Sequence, residues 1–343
     1  MNILWIIGNG FDLNLGLKTG YQHFLQGTYL KADSTELEYR DELVRRINDN
    51  PLFESDNWSD LEKLLGESTL CYEKDKELFH STFEEMGRAF VEHVNKESEA
   101  FFSRDISDEW INELHSSIAN FPNRISELDK QAFGAYRGDR SPITYQFVSL
   151  NYTKTLEIML KQANARRAPF DSRQFSNGAY GDKTAAVFYP HGTIENDEMV
   201  FGVNDESQLL SDCFHDDESR ELWIKKNINA YFGNRNTLYL SQCIDEARQI
   251  FLFGVSLGES DRYIWEQIGK WLTTNSSHHL VFFSYNFPRK ESFNKRQCQI
   301  SRLIALEKIR ESFGISEEDF ETIEDRILIL PSETVFRFKN NNE

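Results

Sequence analysis

Four short clusters, far apart in the chain, carry the residue types that could do chemistry: Gly8-Asn9-Gly10, Asn151-Tyr152-Thr153, His191-Gly192 and Gly254-Val255-Ser256. The first follows five apolar residues, Ile3 to Ile7, which read as a strand buried on both faces. A strand, a Gly-x-Gly turn and a helix together make a cradle for a dinucleotide phosphate. Glycine lets the backbone approach the anion, and free N–H groups at the helix start point at it. A full fingerprint would place a third glycine where Leu13 stands; here the next one is Gly16, and no acidic residue closes a short βαβ unit. The pattern therefore reads equally as a phosphate cradle or as a tight turn between a core strand and a helix. His191 supplies an imidazole that titrates near neutral pH and so suits a general base; a histidine before glycine at a strand end also caps loops. Asn151 offers a carboxamide at a strand end, where asparagine also bonds its own turn. His278 and His279 adjoin a strand without metal-ligand spacing to any cysteine or carboxylate.

The elements that would position these clusters alternate between strand and helix. Strand patterns recur at 143–150, 185–189, 249–253 and 279–284, with shorter ones at 199–203, 327–330 and 334–338. Helical patterns fall at 154–162, 222–231, 237–247, 263–272 (opened by Asp261) and 300–313, and residues 205–220 read as an acidic loop. This alternation predicts an α/β fold with a mainly parallel sheet. In such a sheet, ligands bind outside the carboxyl ends of the strands, so the four clusters should converge on one crevice. Between the first strand and the rest, residues from about 35 to 120 are helical in pattern. Trp58, Ser59 and Glu62 have the spacing of a hydrophobic staple and a capping box, and Asp60 and Glu62 read as helix-start carboxylates. The expected organisation is one α/β domain over residues 1–343, with a helical insertion at 26–140.

Composition sets the outer limits. Among 343 residues, 39% are hydrophobic and 27 are Phe, so a sizeable core can be buried. A net charge of −18 repels phosphate backbones, which argues against broad nucleic-acid binding. Cys71, Cys213, Cys243 and Cys298 form no C-x-x-C pair, so no zinc ribbon is encoded and no metal is expected. The start of the chain lacks the basic segment of a signal peptide, and no apolar run reaches membrane-span length. Both observations lead to the expectation of a cytoplasmic protein that does not span a membrane.

The motifs also resemble a known family. Ile7-Gly8-Asn9-Gly10-Phe11-Asp12, Gly16 to Tyr21, Trp58 to Glu62, Asn151-Tyr152-Thr153 with Glu157, His191-Gly192, and Gly254 to Leu257 with Asp261 are similar to those of the phage abortive-infection AbiH family. In the same order they resemble the NAD site of sirtuin-like proteins. The resemblance implies a Rossmann-like, sirtuin-like core that takes NAD as substrate and hydrolyses it to nicotinamide and ADP-ribose, as an antiphage effector. By position, it places Gly8, Asn9 and Gly10 at the pyrophosphate loop. Asn151 falls at the nicotinamide ribose, His191 is the general base, and Gly254 and Ser256 hold the adenosine ribose. Asp12 either caps the first helix or contacts a ribose. The four-cysteine zinc module of sirtuin deacylases is missing, which weighs against deacylation. A non-catalytic nucleotide sensor acting through a partner is the alternative. A nuclease is disfavoured by the charge and by the lack of a carboxylate–metal cluster. A phage trigger, a defence-system partner and a homo-oligomer are all compatible with this reading.

Overall fold

The computed structural model describes residues 1–32, 37–49, 61–103, 106–127, 129–130, 141–176, 178–196, 199–231, 236–288 and 294–338. Strand β1 (Asn2–Ile7) lies inside a seven-stranded sheet of order β3-β4-β2-β1-β5-β6-β7. The others are β2 (Thr144–Ser149), β3 (Asp171–Phe175), β4 (Gly178–Phe188), β5 (Ala247–Phe253), β6 (His279–Ser284) and β7 (Ile327–Pro331). All pairings are parallel except the β3–β4 hairpin at one edge. The protein is thus α/β, with a mostly parallel sheet flanked by helices.

The apolar run of β1 explains its central place. Ile3, Trp5 and Ile7 point into one core and Leu4 and Ile6 into the other, as the two-residue period of a strand requires. On the first face pack α6 (Asp108–Ala119), α7 (Thr155–Arg166) and the C-terminal residues Val335, Phe336 and Phe338. On the second pack α10 (Asn236–Glu246), α11 (Arg262–Thr274), α12 (Lys295–Ser312) and α13 (Glu317–Ile323). Every described element between β1 and β2 is helical: α1 (Gly10–Asn14), α2 (Tyr21–Gly27), α3 (Arg40–Asp49), α4 (Leu61–Ser68), α5 (Lys76–Phe102), α6 and short 3₁₀ turns. Helices α2, α4 and α5 build a third core. In it Phe24, Leu64 and Phe90 meet Tyr152 and Ile194, which lie just past the carboxyl ends of β2 and β4. The helical segment therefore packs against the end of the sheet where the chemistry-bearing clusters lie.

Several elements differ from the sequence reading. Residues 199–203 form no strand; Val203 makes one isolated bridge to Ile224. The pattern at 334–338 becomes a strap, in which Phe336 adopts a positive φ of 53° and Phe336 and Phe338 pack against Phe11. The helix expected at 222–231 is two, α8 (Asp217–Trp223) and α9 (Lys225–Tyr231). The staple and cap at Trp58, Ser59 and Asp60 lie outside the described residues.

Candidate active site

Because β4, β2, β1 and β5 are adjacent and parallel, their carboxyl ends lie side by side. All four sequence clusters follow these ends. The chain builds outward from β1 through β2 to β4, then returns to β5 on the other side of β1, and such a reversal of strand order is where open α/β sheets hold ligands.

At that reversal the two glycine loops touch. Gly8 N donates to Phe253 O at 2.9 Å and Gly10 N to Gly254 O at 3.0 Å. A Cβ on Gly10 would stand 2.5 Å from Gly254 Cα, and one on Gly8 would stand 2.5 Å from Gly254 O. Gly254 has φ +68°, a conformation that favours glycine. The side of Gly8 and Gly10 where a side chain would go is filled by the Gly254 loop, so loop-against-loop packing already demands these glycines. Ser256, two residues on, is exposed.

Asp12 is fully buried and braces the loops from inside. Its carboxylate accepts from Thr153 Oγ1 at 2.6 Å, Thr155 Oγ1 at 2.6 Å and Thr19 Oγ1 at 3.3 Å. Thr19 also donates to Asn9 Oδ1 at 2.7 Å. Burial pushes the Asp12 carboxyl up, and the three hydroxyls with the Asn151 amide offset this only in part, so it stays above the usual carboxylate range. Both oxygens are spent inside the protein. Asp12 thus forms a cross-brace between the β1 and β2 loops, and the N-cap residue of α1, Asn9, makes no side-chain cap. With its amide nitrogen turned to a carboxylate that can only accept, Asn151 leaves Oδ1 buried and without a hydrogen-bond partner among the described residues.

His191 sits beyond β4 in a turn closed by Gly192 N to Tyr189 O at 3.1 Å, with Gly192 at φ +67°. Val200 N donates to His191 O at 2.8 Å, and Ile194 N donates to Tyr152 O at 3.0 Å, tying this turn to the end of β2. The His191 ring is 3% exposed and 6.4 Å from the Tyr152 ring, centroid to centroid. Both ring nitrogens of His191 and Oγ1 of Thr193 are buried without a hydrogen-bond partner among the described residues. Nε2 lies 3.0 Å from Asp261 Oδ1.

Asp261 leads to a group that sequence reasoning did not assemble. Its Oδ1 is also 2.8 Å from Lys225 Nζ, which lies 2.9 Å from Glu62 Oε2. Burial alone would raise Asp261, but the Lys225 ammonium, with His191 beside it, outweighs burial and holds the carboxyl well below its usual range. Burial pulls Lys225 down, and Asp261 and Glu62 more than reverse it, keeping the ammonium charged. In sequence Glu62 reads as a helix-start carboxylate and Asp261 as a helix opener, Lys225 falls in no motif, and no spacing links the three. Among the described residues no group of three or more His, Cys, Asp or Glu could hold a metal ion. None of their helices is long and apolar enough to cross a membrane.

Residues 4–283 match the family model described as Bacteriophage abortive infection AbiH. No curated protein and no solved structure matches the chain.

Proposed function

This chain belongs to the bacteriophage abortive infection AbiH family, and we propose that it acts there as a sirtuin-like NAD hydrolase, releasing nicotinamide and ADP-ribose. One observation supports this reading most. Asn151 and His191 stand at the ends of neighbouring parallel strands, both buried, each with a polar atom that has no hydrogen-bond partner among the described residues. Buried polar groups left without partners cost stability, and substrate hydroxyls or a bound water would meet that need. In the reaction, water adds to the anomeric carbon of the nicotinamide ribose as the N-glycosidic bond breaks. Nicotinamide leaves a cationic ring as a neutral molecule, so no strong acid is required. His191 takes the proton that the water loses, and Asn151 Oδ1 accepts from a ribose hydroxyl or from the water. On this reading the pyrophosphate and the adenosine ribose run along the glycine loops of β1 and β5, beside half-buried Asn9 and exposed Ser256.

The test is nicotinamide release from NAD by purified protein. Wild type should turn over, while His191→Ala and Asn151→Ala should keep NAD affinity and lose rate, by roughly 10²–10⁴-fold for the base. NAD binding with no turnover, in the presence of phage lysate as well as its absence, would favour a nucleotide sensor working through a partner.

A further inference from the structure

Three charges from separate segments form a chain that ends at the His191 ring: Glu62 in α4 holds Lys225 at the start of α9, Lys225 holds Asp261 before α11, and Asp261 reaches the ring. Tyr152 and Tyr263 are also in electrostatic contact with this cluster. We propose that Asp261 is a positioning residue for His191: its Oδ1 keeps the proton of the neutral imidazole on Nε2 and leaves Nδ1 as the atom that accepts a proton. Lys225, gripped by Glu62, anchors Asp261. The inference rests on the reading of His191 as the base and adds which nitrogen works and what holds it.

A neutral imidazole carries one N–H and one lone pair, and an acceptor beside one nitrogen draws the proton there. Asp261 Oδ1 is that acceptor, 3.0 Å from Nε2. The contact lies off the line of a good hydrogen bond, a looseness usual where catalytic contacts tighten only around substrate. Nδ1 is likewise buried with no hydrogen-bond partner among the described residues; what sets Nε2 apart is the carboxylate oxygen 3.0 Å away. Charge counting supports the assignment. A buried Lys225–Glu62 pair would balance by itself; Asp261 adds a second carboxylate, which faces the imidazole N–H. Buried ion pairs are a weak source of stability, so an unbalanced one is better explained by what it orients. The anchor also comes from the helical segment between β1 and β2, which links that segment to the imidazole through three successive contacts.

Selective ¹⁵N-histidine labelling, with His191→Gln to assign the signal, reads the tautomer from the two ring nitrogen shifts at a pH where the ring is neutral. Wild type should show the Nε2–H form. Asp261→Ala should lose that preference and reduce kcat for nicotinamide release about 10²–10⁴-fold with KM little changed. Asp261→Asn keeps an oxygen for both Lys225 and Nε2, so it should restore the tautomer and much of the rate. An Nδ1–H ring in wild type overturns the proposal, as does an Asp261→Ala protein with tautomer and kcat intact; the first outcome needs only the assignment variant, not Asp261→Ala, to fold. If wild type shows the Nε2–H form, Asp261→Ala erases it and no nicotinamide is ever released, the positioning stands and the NAD reading falls.

Discussion

At position 12 a carboxylate sits where water does not reach, held by three threonine hydroxyls from both sides of β1 and β2. Removing it leaves the Thr153 and Thr155 hydroxyls buried without that acceptor, at about 1–3 kcal/mol for each group that finds no new partner, while Thr19 keeps Asn9 Oδ1. Asp12→Ala should therefore lower the unfolding free energy by about 3 kcal/mol or more, and Asp12→Asn, which keeps one acceptor oxygen, by about 1 kcal/mol. Urea denaturation measures both. The Lys225 cluster carries a pH signature. Lys225 is raised in the folded state, so its contribution is complete below its ordinary value of 10.5 and is lost as pH climbs through the higher folded value. Asp261 is lowered, so its contribution is present above 3.8 and is lost as pH falls toward its folded value. Between those limits Lys225→Met should cost about 3–5 kcal/mol by stranding two carboxylates. Adding Glu62→Gln should recover part of that loss, and the cost should shrink above pH 10.5.

Among the elements, the β1 and β5 loops interlock through glycine, and that can be tested against a glycine with room around it. Gly10→Ala puts a methyl 2.5 Å from Gly254 Cα and should destabilise by about 1–3 kcal/mol. Gly87, in the middle of α5 with nothing within 4 Å of a Cβ, should instead gain about 0.5–1 kcal/mol when changed to alanine. Differential scanning calorimetry of the two variants would show shifts of opposite sign. The same elements show what was legible in the sequence. Apolar runs at 3–7, 249–253 and 279–284 gave strands because a parallel strand covered on both faces needs no alternation. The β3–β4 hairpin was not legible: Asp171 to Phe175 and the first half of β4 are largely polar, and their order comes from the buried Arg173–Asp182 pair at 2.9 Å. The segment at 334–338 alternated like a strand, but its backbone bonds are spent on α6 and α1 instead, with Phe336 N on Ser117 Oγ and Phe336 O on Asn14. Convergence of the four clusters was legible because parallel topology forces it. The Glu62–Lys225–Asp261 contacts were not, because residues 163 and 36 positions apart meet only once the helical segment has folded over the sheet end.

For the whole molecule, sheet and helical segment act as one device: the sheet brings Asn151 and His191 to neighbouring strand ends, and the helices reach in with Glu62 to fix the charges behind the imidazole. On the proposed reading, a net charge of −18 would repel long phosphate polymers, while a small dinucleotide bears little charge. Membership of the AbiH family points to a role in phage abortive infection. An effector of that kind would exhaust a metabolite that host and phage both need. The most direct measurement is NAD content, followed through phage infection, in bacteria carrying wild-type protein or His191→Ala at equal abundance. NAD should collapse on infection in the wild-type cells alone, with nicotinamide and ADP-ribose rising in step. Protection from phage with NAD undiminished would contradict the account.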